Sequence, residues 1–105
     1  MKNDRERDFT ILAEVYEERR KQDDKWGQQN HPDGTNLVNA GISDEIRDVC
    51  QREFQEGRGT WLNILAEEVA EASAEVDPLK LRAELIQSAA VAVAWIGAID
   101  RRGDK

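Results

Sequence analysis

Glu67, Glu68 and Glu71, followed by Glu84 and Gln87, are the residues of this chain whose types and spacing suit chemistry. Three-residue spacing puts Glu68 and Glu71 on one face of a helix, and Glu84 and Gln87 on one face of the next. Both pairs sit among apolar residues, where a carboxylate is costly unless something pairs with it. The cheapest partner for several converging carboxylates is a hard divalent cation, Mg²⁺ or Mn²⁺. Glu71 and Glu84 lie at equal distance on either side of the Asp77-Pro78 junction. If two antiparallel helices meet at that short turn, the two residues stand at one height and face each other across one groove.

The ordinary alternative is a solvated, glutamate-rich helix surface. Like charges one, three and four residues apart disfavour an isolated helix by a few tenths of a kcal/mol per pair. No lysine or arginine interrupts the stretch between Thr60 and Leu79. A di-iron carboxylate bundle needs Glu-x-x-His twice, but the only histidine, His31, falls in a loop. No segment fits a calcium-binding EF-hand loop or a GxxxxGK phosphate loop. No His base lies near the serines or the cysteine in sequence, so nucleophilic catalysis has little support.

The elements that must position these acids read as helices. Residues 4–23 are amphipathic, with Phe9, Leu12, Ala13 and Tyr16 at helical spacing. A loop of about residues 26–42 follows, marked by His31-Pro32-Asp33-Gly34; a loop this long in a small domain is functional or poorly ordered. Ser43 reads as the N-cap of a short helix over 44–56 with a stripe of Ile46, Val49, Cys50 and Phe54. Thr60 caps a helix over 61–76 whose expected core stripe is Leu62, Leu65, Val69, Ala72 and Val76. Asp77 and Pro78 suit the cap and first position of a last helix, 78–102, closed by Gly103. No β pattern competes. The expected fold is all-α, one domain over residues 1–105.

Composition sets the outer bounds. With 39% hydrophobic and 35% charged residues in 105, a core of its own is modest, so a homo-oligomer is expected. A net charge of −7 argues against non-specific nucleic-acid binding, though a bound cation can still recruit a phosphorylated small molecule. The lone Cys50 excludes an intrachain disulfide and reads as a small buried hydrophobe. The N-terminal stretch has no secretory apolar run. The apolar run from Leu85 to Ile99 is shorter than a bilayer span and is broken by Gln87 and Ser88. The expectation is a cytoplasmic protein with neither membrane nor nucleic acid as partner.

The Glu67-Glu68-x-x-Glu71 run, the Glu84-x-x-Gln87 pair and the apolar last helix resemble the MazG-like all-α nucleoside triphosphate pyrophosphatases. Lys25-Trp26-Gly27-Gln28-Gln29-Asn30-His31-Pro32-Asp33-Gly34-Thr35 looks like the loop of a subgroup common in actinobacteria and their phages. The similarity covers about residues 10–102. It implies a four-helix-type bundle whose core is completed as a homodimer or homotetramer. It also implies Mg²⁺-dependent hydrolysis of a nucleotide substrate to monophosphate and pyrophosphate, with Mn²⁺ as a possible substitute.

Carried over by position, the family's metal pattern points to Glu68, Glu71 and Glu84, with Gln87 where the family has an aspartate. Glu67 matches an extra acid that orients water, so Glu67, Glu68 and Glu71 are the expected catalytic group, with Glu67 or Glu75 accepting a proton. Lys21, Lys25, Lys80 and Arg82 are candidates to meet the triphosphate, or else ordinary surface charge. Trp26 is a candidate to stack on a base or to anchor the loop, and His31 to contact the nucleotide or to serve the turn. Trp61 and Trp95 are expected in the core or at a subunit interface. Neutral Gln87 leaves a second reading open: a catalytically weak or silent oligomer that binds a nucleotide or a protein through the same groove.

Overall fold

The computed structural model describes residues 3–103. They form four α-helices and one 3₁₀ turn: α1 (Asp4–Trp26), the turn Leu37–Asn39, α2 (Ala40–Gln55), α3 (Trp61–Ala74) and α4 (Pro78–Arg102). No strand occurs among the described residues, so the chain is all-α. Two compact units divide it. One holds the chain up to Pro32 together with the part from Val93 onward; the other is Asp33–Ala92.

In the first unit, α1 starts at Asn3, whose Oδ1 accepts a hydrogen bond from the Glu6 N–H at 2.8 Å, with Asp4 and Glu6 in the favoured first turn. Surface pairs such as Arg19–Asp23 (2.6 Å) and Arg20–Glu17 (3.3 Å) line its exposed face. The helix runs to Trp26, three residues past the expected end. It stops at Gly27, whose φ of 69° suits glycine and whose N–H closes on the Asp23 carbonyl at 2.8 Å. Ile11 is buried, and the buried Gly97 of α4 faces it and the stem of Arg7. The expected stripe of Phe9, Leu12, Ala13 and Tyr16 is exposed instead. The helical period is as expected, but among the described residues that face of α1 is not buried.

In the second unit, α2 begins four residues earlier than expected. The 3₁₀ turn, capped by the Asn36 side chain on the Val38 N–H (2.9 Å), runs directly into it. Ser43 is therefore a buried residue of the first turns and not the N-cap, and the loop shrinks to about 27–36. The helix ends at Glu56 and Gly57. There Arg58 grips the carboxylates of Glu53 (2.9 Å) and Glu56, and its hydrogen bond, then its charge, holds the Glu53 carboxyl below the usual range.

A short connection makes α3 an antiparallel neighbour of α2. Its start is a reciprocal capping box. The Asn63 N–H donates to Thr60 Oγ1 at 3.1 Å, and the Thr60 N–H to Asn63 Oδ1 at 3.0 Å. Of the expected stripe, Ala72 is buried and Leu65 half-buried, whereas Leu62 and Val69 are exposed and Val76 lies beyond the helix end; Ala70, outside the stripe, is buried too. Asp77 caps α4 as expected, accepting from the Leu79 N–H at 2.9 Å and the Lys80 N–H at 3.4 Å. Leu81 is buried one turn on, and Arg101 and Arg102 occupy the last turn. By length and composition alone α4 could cross a bilayer, a test the core helix of a soluble protein also passes.

Candidate metal centre

Glu68 and Glu71 project from successive turns of α3, and Glu84 from the second turn of α4. One carboxylate oxygen of each lies within 4.8 Å of the other two. All three side chains are half-buried. The equal spacing about the Asp77-Pro78 junction thus does bring Glu71 and Glu84 to one height. The turn itself is closed locally, because Glu75 Oε1 accepts from the Asp77 N–H at 3.1 Å. α3 ends at Ala74, so Glu75 lies past the helix that carries Glu68 and Glu71.

The electrostatics of the group are unfavourable as it stands. Burial first, then the charges of Glu84 and Glu67, raise the Glu68 carboxyl above its ordinary range. Burial, the charges of Glu68, Glu84 and Glu67, and a hydrogen bond with Glu84 do the same for Glu71. Glu68 Oε2 and Glu84 Oε2 are buried without any hydrogen-bond partner. An orphaned buried carboxylate oxygen costs free energy that a protein partner normally offsets. Two of them beside a third carboxylate form an oxygen-only donor set that fits a hard divalent cation.

The other expected site residues fall around this group or elsewhere. Glu67 is outside the three. The thiol of buried Cys50 lies beside its carboxylate, and burial first, then Glu67, pushes that thiol up to about 11. Gln87 is exposed one turn beyond Glu84, and Lys80 and Arg82 are exposed on the first turns of α4. In the other unit, Lys21 forms a surface pair with Glu18 at 3.9 Å. Lys25 places its ammonium 4.8 Å from the ring centre of Trp26, a cation–π contact. Trp26 closes α1 and is 61% exposed, so it is a helix-end residue, not a loop residue. With Arg19, Gln22 and His31 it lines an open recess of about 820 Å³.

Sequence reasoning missed two contacts, Cys50 with Glu67 and the 3₁₀ turn with the end of α3. The Asn36 N–H (3.0 Å) and Asn39 Nδ2 (2.9 Å) both donate to the Ser73 carbonyl. Asn36 and Asn39 carried no signal beyond that of loop residues. No protein-family profile, curated protein or solved structure matches the chain.

Proposed function

We propose that the chain is a Mg²⁺-dependent nucleotide pyrophosphohydrolase of the MazG-like type, working as a homo-oligomer. The observation that carries this reading is the meeting of Glu68, Glu71 and Glu84 with two buried carboxylate oxygens left unpaired. These three residues would hold the cation. A divalent ion there supplies neutralising charge for phosphate oxygens and a more acidic water. Glu67 stands next to Glu68 on α3, beside the Cys50 thiol. Its part is to accept a proton from the water that attacks the α-phosphorus, while the bond to the leaving pyrophosphate breaks. Glu75 is bound into the turn and is the poorer base. Large exposed apolar residues on both units, among them Phe9, Tyr16, Leu62 and Ile86, support the oligomer.

The test is incubation of the pure protein with Mg²⁺ or Mn²⁺ and a panel of NTPs and dNTPs, followed by ³¹P NMR. Monophosphate plus pyrophosphate is the expected product pair, and Glu71→Gln should lower turnover by at least ~100-fold with the fold retained. No turnover of any nucleotide, or full activity in the variant, would remove the reading.

Gln87 favours a second reading, a groove that binds nucleotide without efficient turnover. A neutral amide is a weaker ligand for Mg²⁺ than a carboxylate. Gln87→Asp separates the two: a gain in rate marks a weakened enzyme, whereas metal-dependent nucleotide binding with no turnover in either form marks a binding module.

A further inference from the structure

We propose that Asn39 is a positioning residue for the carboxylate centre, clamping the last turn of α3 so that Glu71 stays opposite Glu84; this rests on the metal reading above. Asn39 joins the 3₁₀ turn to α2 with helical backbone angles (φ −73°, ψ −7°), and the turn is already capped by Asn36, so the Asn39 side chain is not used as a cap. Its amide nitrogen is sent instead to the Ser73 carbonyl at 2.9 Å, across 34 residues of sequence. Because the partner is a carbonyl, only the NH₂ end of the amide fits, which fixes its orientation. The Asn36 N–H donates to the same oxygen at 3.0 Å, so one orphan carbonyl at the end of α3 receives two donors.

Ser73 is two residues past Glu71, in the last turn of a helix that ends at Ala74. A last turn frays unless it is held, and this one carries a carboxylate pressed toward two others. Mutual repulsion would open the centre at its least constrained point. The double donation to Ser73 opposes that opening from the side of the 3₁₀ turn. Ser73 Oγ, donating to the Ala70 carbonyl at 2.6 Å, tightens the same turn from within. The Asn36 N–H and the Asn39 amide together hold the one carbonyl of Ser73. Preorganised ligands bind a metal more tightly than ligands that must be gathered.

The test uses Asn39→Ser and Asn39→Asp in the full chain. Neither can deliver an amide N–H to Ser73, and the Asn39 side chain caps nothing in the parent, so α2 loses no cap. Two quantities are read: amide hydrogen exchange over residues 71–75, and Mn²⁺ affinity by electron paramagnetic resonance. Faster exchange confined to that turn, with Mn²⁺ bound roughly tenfold more weakly in both variants, is the expected result. Unchanged exchange, or unchanged Mn²⁺ affinity in variants whose parent binds Mn²⁺, overturns the positioning role alone. A parent chain that binds no Mn²⁺ overturns the metal reading and this role with it.

Discussion

At the residue scale, the carboxylate centre is a local conflict held in place by the rest of the fold. Glu68 and Glu71 are raised above the ordinary carboxyl value of 4.5 by burial and by their acidic neighbours. The folded state therefore holds their protons more tightly than the unfolded chain does. Their contribution to stability is fully present below about 4.5 and is lost as pH rises through the raised folded range. Glu71→Gln removes one charge and keeps a similar shape. Without metal, the variant should melt a few degrees higher than the parent at pH 7.5, and the gap should close toward pH 4.5. Saturating Mn²⁺ should reverse the order, since a ligand at a hundred times its Kd adds about 2.7 kcal/mol to the parent alone. Calorimetric melts at three pH values, with and without Mn²⁺, check this. A variant less stable than the parent at pH 7.5 without metal would show that the three acids do not repel as their placement implies.

At the element scale, the helix boundaries separate what local chemistry determines from what tertiary contacts determine. Thr60 and Asp77 were legible as caps because each bonds N–H groups within three residues of itself, so the signal lies wholly in the sequence. The start of α2 was not legible. Ser43 with Asp44 and Glu45 forms a convincing N-terminus, but the real one lies at Asn39, whose side chain answers to Ser73. Similarly, the Glu71–Glu84 encounter followed from counting residues about a turn, whereas the Cys50–Glu67 contact depends on how α2 lies against α3. The buried face of α3 was legible only in part for a related reason: Ala72 is buried as expected, but Leu62 and Val69 stay exposed while Ala70 is buried, so apolar size alone misplaces part of the stripe. A paired substitution tests these assignments. Thr60→Ala should cost about 1 kcal/mol by loss of the capping box. Ser43→Ala, inside a helix and in no cap, should cost less than half of that or stabilise. Urea unfolding of both variants decides it, and equal losses would return the cap of α2 to Ser43.

At the scale of the whole molecule, both units carry large apolar side chains on their surface, which supports the proposed homo-oligomer. On α1, Phe9 and Tyr16 are 67% and 64% exposed and lie two turns apart with Leu12 between them, a stripe suited to another helix. Light scattering should therefore give a mass at least twice that of the chain, and the melting temperature should rise with protein concentration. Replacing Phe9 and Tyr16 together by Asp puts two charges into that stripe and should drive the mass toward the monomer and lower the melting temperature. Mn²⁺ affinity separates the roles of the two units. The three carboxylates come from α3 and the start of α4 alone, so a dissociated variant that still binds Mn²⁺ keeps the centre within one chain. A parent protein that is monomeric at tens of micromolar would leave the exposed stripe without its occupant and end the oligomer reading.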